Sequence, residues 1–234
     1  MKTETRHALK QDKLRQAAAT SASWLGEHRS AAITWSIVLG VILVVGLAAL
    51  IGYTWRSQQA GEALGAALDI YNAPLAQAGA PPQSGTYATA SARAKAANEQ
   101  FLAVEKQFGW MPQGAKAHYF AGITYEDLGQ NGPAEAELKT AGDSWNRNLA
   151  NLARLALAGL YERTNRNSQA IDLYIALAAK PSETVPATVA ELDLANLYAA
   201  SGKQALARAT WAKVKDADKD GAAGSIAAQK LAAK

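Results

Sequence analysis

An uncharged run from Ser30 to Trp55 restricts the possible folds of this chain more than any other stretch, and after the serine it reads AAITWSIVLGVILVVGLAALIGYTW. About 20 apolar residues in a helix cross the ~30 Å hydrocarbon core of a bilayer, and this run is slightly longer. Trp35 lies near one end, and Tyr53 lies with Trp55 near the other, where aromatic side chains commonly anchor a helix at the membrane surface. The run therefore predicts one transmembrane helix over residues 30–55.

An apolar run near the N-terminus has two other interpretations. It could be the buried helix of a soluble protein, but helices that are apolar on every side over this length are rare. It could also be a cleaved secretory signal, whose apolar region spans about 7–15 residues and ends at a cleavage site. Residues 1–29 precede this run, and the run itself is longer than a signal requires. The sequence therefore favours a retained signal anchor.

Basic residues are distributed unevenly around the run. After Arg56, no lysine or arginine occurs before Arg93. The basic residues on the other side are Lys2, Arg6, Lys10, Lys13, Arg15 and Arg29. The positive-inside rule therefore predicts a cytoplasmic basic head over residues 1–29 and places the residues after the run on the outer side of the membrane. The head fits a helix on the membrane surface and a flexible tail equally well.

Charge and cysteine content exclude several classes of function. The formal net charge is +4, but residues 1–30 hold six basic and three acidic residues, and residues 56–234 hold eighteen and seventeen. The outer part is therefore nearly neutral and shows no basic stripe for phosphates, so we expect no nucleic-acid partner. The chain has no cysteine, which excludes disulfides and thiolate chemistry. The length that follows the run is enough for one domain with its own core.

The residues after the run have an all-α pattern, rich in alanine and without alternating, strand-like segments. We predict a helix over 58–75, a break rich in proline and glycine over 77–85, and a second helix over 86–107. Residues 56–113 thus form a divergent helical pair with a Pro-rich insertion. Residues 218–234 are predicted to form a short closing helix, which covers the last apolar face of a stacked array.

Residues 114–217 contain three repeats, marked by Tyr125, Tyr161 and Tyr198 at intervals of 36 and 37 residues. Five further columns align when these tyrosines are superimposed. Counted from the tyrosine, the column at −3 contains Gly122, Ala158 and Ala195, and the column at +4 contains Gly129, Asn165 and Gly202. The column at +9 contains Ala134, Ala170 and Ala207, the column at +13 contains Leu138, Tyr174 and Trp211, and the column at +16 contains Ala141, Leu177 and Val214. Small residues at −3 and +9 let two helices approach, and Gly or Asn at +4 suits a left-handed turn. Each repeat is therefore predicted to be a helical hairpin.

These columns resemble the tetratricopeptide repeat, a helical hairpin of about 34 residues with small, Tyr, Ala and Phe-like positions in this order. The position that an early tryptophan usually occupies holds His118, Arg154 and Glu191 instead. The resemblance implies a helical solenoid. The fold class we predict is therefore all-α, with a single N-terminal transmembrane helix followed by a tetratricopeptide-like array.

A stacked array of this kind offers a groove lined by the first helix of each repeat. By the geometry of the repeat, the predicted groove residues are Lys116, Tyr119, Ile123, Asp127, Leu155, Leu192 and Asn196. Repeats of this family that bind a terminal carboxylate use a set of Lys, Asn and Arg, of which only part is present here. The surface is mixed and partly apolar, so we expect it to bind an extended, moderately apolar protein segment.

The sequence contains no recognisable catalytic constellation. The three histidines, His7, His28 and His118, are far apart in the chain, so no multi-histidine metal site is expected. No phosphate-binding loop, dinucleotide fingerprint or nucleophile elbow occurs. The acidic pairs Glu126 with Asp127 and Asp216 with Asp218 are interpreted as a solvated helix face or turn. We therefore expect a protein that is not an enzyme and that has no cofactor, metal or small-molecule substrate.

The whole arrangement is similar to the ancillary SecYEG translocon subunit family of bacteria. The resemblance rests on the anchor between Arg29 and Arg56, on the helices AALDIYNAPLAQ and AANEQFLAVEKQFG, and on the repeats ending at ATWAKV, Ala209 to Val214. It implies a bacterial inner membrane, a periplasmic C-terminal domain, and translocon subunits, chaperones or exported clients as protein partners.

Small residues four apart in the span, where another helix can approach closely, are the candidate contact with a membrane partner. They are Ser36, Gly40, Ala48 and Gly52. A function of another class also fits the sequence, namely an envelope scaffold or regulatory adaptor that assembles one specific protein complex. The composition of the complex distinguishes the two functions, because a scaffold holds one stable partner and a translocon subunit meets many exported clients.

Overall fold

The computed structural model describes residues 29–77 and 84–233, without the side chains of residues 29 and 32. Nearly all of the predicted head and the middle of the Pro-rich insertion lie outside these ranges. The chain divides into two compact units, Met1–Arg56 and Ser57–Lys234. The boundary between them falls one residue after the predicted end of the transmembrane run.

The described residues form an all-α fold, as the sequence predicts. No strand occurs among them, and an isolated bridge between Leu75 and Tyr87 joins the two ends of the Pro-rich insertion. The helices are α1 Arg29–Tyr71, α2 Ala90–Phe108, α3 Pro112–Asp127, α4 Asn131–Gly142, α5 Arg147–Arg163, α6 Asn167–Ala179, α7 Ala187–Ala200, α8 Gln204–Ala217 and α9 Ala222–Ala232.

The apolar part of α1 presents its side chains on all sides. Those over 33–55 are all exposed, and among them Trp35 and Trp55 are 71% and 69% exposed. The hydroxyls of Thr34 and Thr54 donate to backbone oxygens three or four residues earlier, so the helix satisfies its own polar groups. Of the helices that the structure describes, α1 alone is long and apolar enough to cross a membrane.

The helices of the second unit pack in chain order. Each helix from α2 to α9 contacts the next, and in addition α3 contacts α5 and α7 contacts α9. Three buried clusters follow one another: the first joins the end of α1 to α2 and α3, the second lies within α4 to α7, and the third joins α7, α8 and α9. Packing between near neighbours along the chain is characteristic of a helical solenoid.

The repeat columns have the structural roles that their residue types predict. The +4 residues all have a positive φ, at 71° for Gly129, 58° for Asn165 and 76° for Gly202. Such left-handed turns favour glycine and asparagine, and they let the second helix of each hairpin return along the first. The +9 alanines, Ala134, Ala170 and Ala207, are fully buried. The predicted hairpin register is therefore confirmed at the turn and at the close contact.

Two predicted helix ends differ from the structure, and capping explains one of them. The helix predicted over 86–107 begins at Ala90, because the Thr89 hydroxyl accepts a hydrogen bond from the backbone N–H of Ala92 at 3.0 Å. The helix predicted to reach residue 75 ends at Tyr71, three residues before Pro74. Proline lacks the N–H that a helix requires, and it disfavours the helical conformation in the residue before it.

Replacing Ala170 by tryptophan is expected to lower the free energy of unfolding by about 1–3 kcal/mol, because a large ring has no space in the second cluster. Ala176 lies on the same helix and is exposed, so Ala176→Trp is the matched control and should change stability by less than about 0.5 kcal/mol. Urea denaturation of the detergent-solubilised chain measures both values. Equal midpoints for the two variants would contradict the repeat register.

The Glu135 carboxylate on α4 contacts a second residue of α4, a residue of α5 and a residue of the turn between α5 and α6. Glu135 lies 2.7 Å from Lys139 Nζ and 2.7 Å from Arg166 Nη1, and it accepts a hydrogen bond from the Tyr161 hydroxyl at 3.0 Å. These donors, with Lys139 first, lower the pKa of Glu135 from 4.5 to about 2. The ionised carboxylate therefore stabilises the folded chain above pH 4.5, and this contribution disappears as the pH falls towards 2.

Glu135→Gln is accordingly expected to cost about 1 kcal/mol at pH 7, after allowance for screening by solvent, and to cost little near pH 2. Glu183→Gln removes the same charge from an exposed site on the connection after α6 and serves as the control. Thermal denaturation between pH 2 and pH 7 provides the measurement. If the loss of stability caused by Glu135→Gln stayed constant over this pH range, the ionised carboxylate would not be the source of the stabilisation.

Candidate protein-binding groove

The predicted groove residues lie on the first helices of the three hairpins, α3, α5 and α7. Lys116 and Asp127 are exposed at the two ends of α3, and Tyr119 and Ile123 are partly buried between them. Leu155 on α5 is also partly buried. These side chains recur at intervals of three and four residues along α3, so they share one face of the helix.

The apolar side chains of this surface pack against the buried core. Tyr119, Ile123 and Leu155 pack against the second cluster, as does Leu152. The Tyr119 ring also meets the ring of Phe120 edge-on, with centroids 5.1 Å apart. A partly exposed aromatic ring that is held on two sides loses little freedom when a partner covers it, which favours binding.

The remaining two predicted groove residues contribute to packing between α7 and α8. Leu192 is 9% exposed and belongs to the third cluster with Trp211. Asn196 Oδ1 accepts a hydrogen bond from Trp211 Nε1 at 3.3 Å. The accessible apolar atoms of the candidate groove therefore lie on α3 and α5, and a polar substitution at Leu192 would disturb the core as well as any binding.

Four carboxylates, which we call the acidic row, lie on the first helices: three at or near the ends of α3 and α5, and one in the middle of α7. They are Glu126, Asp127, Glu162 and Asp193. Burial raises the pKa of the Glu126, Asp127 and Asp193 carboxyls, and the neighbouring Glu162 carboxylate raises that of Asp193 further. Partly desolvated carboxylates with raised pKa values gain from a nearby cation, so this surface is suited to stabilising positive charge.

Among the described residues, cationic side chains lie close to only part of the acidic row. Arg163 forms an ion pair with Glu126, and it opposes the effect of burial on that carboxyl. Arg93 acts in the same direction on Asp127. Glu162 accepts a hydrogen bond from the Tyr174 hydroxyl at 3.3 Å, and this donor carries no positive charge. The α5–α7 side of the row therefore has the larger excess of negative charge.

The sequence contained a signal for half of this row. Glu126 and Glu162 each follow the repeat tyrosine directly, at Tyr125 and Tyr161, so an acidic column at +1 is visible in two of the three repeats. Asp193 stands outside that column, and only the packing of α7 brings its carboxyl near Glu162. The interpretation of the pair Glu126 and Asp127 as a solvated helix face or turn agrees with exposed Asp127 but is wrong for Glu126, which is partly buried and ion-paired.

Glu105, His118 and Glu137, on α2, α3 and α4, bring three possible metal-ligand atoms within 4.8 Å of one another. His118 Nδ1 lies 2.7 Å from Glu137 Oε2 and 3.3 Å from Glu105 Oε2. Two ligand atoms of a tetrahedral zinc ion lie about 3.3 Å apart when the metal–ligand bonds are about 2.0–2.1 Å long. The 2.7 Å between His118 Nδ1 and Glu137 Oε2 is shorter than this and is the length of a hydrogen bond. This hydrogen bond raises the pKa of His118, and the group acts as an ion cluster that joins three helices.

A second concave surface lies between α6, α7 and α8. It encloses about 410 Å³ and contains none of the predicted groove residues. Ile175 and Leu206 line it and are about half exposed, and an ion pair between Lys213 Nζ and Glu191 Oε1, at 2.5 Å, lies at the same site. Sequence reasoning missed this surface, because it is built mainly from the second helices of two neighbouring hairpins.

The small residues predicted to contact a membrane partner are all exposed. Ser36, Gly40, Ala48 and Gly52 lie on the apolar part of α1, and a Cβ atom added at Gly40 or Gly52 would meet nothing within 4 Å. Comparison of the whole chain with protein-family models, curated proteins and solved structures gives no match.

Proposed function

We propose that this chain is a non-enzymatic, membrane-anchored protein-interaction module. In this proposal the span lies in the bacterial inner membrane, the head lies in the cytoplasm, and the helical array lies in the periplasm. The module associates with the Sec translocon and helps to hand exported proteins to periplasmic chaperones. The resemblance to the ancillary translocon subunits and to tetratricopeptide repeats supports this function.

The observation that carries the proposal is the combined surface on α3 and α5. Tyr119 and Ile123 present apolar atoms that are partly exposed and fixed by the core, and the pKa of Tyr119, which burial raises, is raised further by the nearby Glu126 carboxylate of the acidic row. An extended segment with alternating apolar and basic side chains would cover the apolar atoms and supply cations to the carboxylates. Exported chains that are not yet folded present such segments, whereas folded proteins bury most of their apolar residues.

A scaffold that holds one folded partner is the second candidate, and the surface between α6, α7 and α8 favours it. Ile175 and Leu206 are large apolar side chains exposed on neighbouring second helices, with a charged pair beside them. A concave apolar site with a polar rim is the usual form of a site for one specific partner. The two candidates therefore use different faces of the same array.

Purification of the detergent-solubilised chain with its partners separates the two functions. Tyr119→Ala and Ile175→Ala each remove one partly exposed apolar side chain, so they serve as matched variants for the two surfaces. The proposed function predicts translocon subunits with a mixed set of exported proteins, and loss of the exported proteins in the Tyr119 variant alone. A single stoichiometric partner that is lost only in the Ile175 variant would replace this function by the scaffold.

A further inference from the structure

Two tryptophans of the second unit are exposed to an extent that the core does not explain. Trp110 is 70% exposed and Trp145 is 82% exposed, whereas Trp211 is 6% exposed. An aromatic side chain that becomes buried removes about 150–250 Å² of surface from water, so two exposed tryptophans forgo a large stabilisation. We call Trp110 and Trp145 the tryptophan edge.

Both residues of the tryptophan edge lie in connections at the same end of the array. Trp110 lies between α2 and α3, and Trp145 lies between α4 and α5. The ion cluster shows that these ends are level, because Glu105 near the end of α2 lies 3.3 Å from His118 near the start of α3. The same histidine lies 2.7 Å from Glu137 in the second half of α4.

This end of the array also holds the first residue of the second unit. Gln113 Nε2 donates hydrogen bonds to the Ser57 backbone oxygen at 3.3 Å and to the Ser57 hydroxyl at 3.2 Å. Three residues of chain span at most about 10 Å, and the Gln113 side chain with its hydrogen bond adds less than about 10 Å, so Trp110 lies within about 20 Å of Ser57 whatever the direction of the connection. Along the chain, Ser57 follows Trp55 by two residues, and Trp55 is predicted to anchor the span at the outer face of the membrane that it crosses.

We propose that the tryptophan edge inserts into the headgroup region of the bilayer that holds the span, and so forms a second contact between the array and the membrane. This inference rests on the membrane anchoring in the proposed function. Tryptophan prefers this region, because its ring is apolar and its N–H still reaches water or lipid oxygens. Asp143 and Arg147 flank Trp145 with opposite charges, so the contact does not depend on anionic lipid.

The contact would fix the direction of the array relative to the membrane surface. Two points of insertion, one hairpin apart, would restrict the tilt of the array against the membrane surface. The groove on α3 and α5 would then keep a constant height and direction with respect to a membrane partner. A groove with a fixed orientation would bind an emerging chain without first having to reorient the array.

Quenching of tryptophan fluorescence by brominated phosphatidylcholine tests the contact directly. The full chain is reconstituted in vesicles of this neutral lipid in four versions, each of which retains one tryptophan and has phenylalanine at the other tryptophan positions. The retained residues are Trp55, Trp110, Trp145 and Trp211. We expect Trp110 and Trp145 to lose emission to an extent comparable with Trp55, and we expect the buried Trp211 to keep its emission.

The four reporters distinguish the possible failures. Quenching of Trp55 without quenching of Trp110 and Trp145 would overturn the tryptophan edge and leave the anchor intact, and the edge would then belong to a protein partner. Absence of quenching at Trp55 would overturn the anchoring and this inference with it. Because the native chain has no cysteine, Trp145→Cys can carry a nitroxide label in an otherwise unaltered chain, and the depth of the label in the same vesicles provides a second measurement if a single-tryptophan version fails to fold.

Discussion

Replacing Phe101 by alanine is expected to lower the free energy of unfolding of the array by about 3–5 kcal/mol. Phe101 is fully buried at the centre of the first cluster, where its ring stacks on Phe120 with centroids 5.2 Å apart. The Tyr71 ring meets it edge-on at 6.3 Å. Alanine would leave a cavity between α1, α2 and α3, which these neighbouring rings are too rigid to fill.

The matched control is Trp145→Ala, which removes a larger aromatic ring from an exposed connection. In detergent it should change stability by less than about 0.5 kcal/mol, because the lost ring makes few contacts with the core. Urea denaturation followed by circular dichroism gives both values under one condition. A Phe101 variant as stable as the Trp145 variant would mean that the end of α1 does not share a core with α2 and α3.

Protease added to intact spheroplasts is expected to degrade the residues after Trp55 completely and to leave the basic head protected. The physical reason is the excess of lysine and arginine before the span, since basic flanking segments are retained on the cytoplasmic side during insertion by the positive-inside rule. Epitopes placed before Lys2 and after Lys234 report the two ends by immunoblotting. Disruption of the membrane with detergent, which exposes both epitopes, provides the control.

The opposite pattern, with the C-terminal epitope protected and the head degraded, would reverse the orientation. Release of the array into the soluble fraction before protease is added would instead indicate cleavage after the apolar run. Either result would remove the periplasmic location from the proposed function. The helical array itself would be unaffected, since its described contacts lie within the second unit.

Local rules were sufficient to predict the hairpins. The left-handed turns at Gly129, Asn165 and Gly202 follow from residue type, and the burial of the alanine at +9 follows from the spacing of small residues. The predicted start of α2 at residue 86 was four residues early, because the cap that forms is Thr89 and the helix begins at Ala90. Spacing within one helix is thus well encoded in the sequence, and exact ends depend on the cap that forms.

The candidate site was less predictable, because its properties arise between helices. Leu192 has the spacing of a groove residue, but its burial depends on the position of Trp211 one helix later. The pairing of His118 with Glu137 joins side chains on different helices at an interval that no motif describes. Exposure of Trp145 likewise results from the place of its connection in the array, and the residue type alone would have suggested a core position.

Photo-cross-linking from single positions of the membrane-bound chain tests the central claim most directly. A cross-linking amino acid is placed at Ile123 in the groove on α3, at Ile175 in the surface between α6, α7 and α8, or at exposed Lys139 as a control. The proposed function predicts cross-links from Ile123 to newly exported chains while export is active, and none from Lys139. Cross-links that arise only from Ile175, to one protein and independently of export, would contradict it.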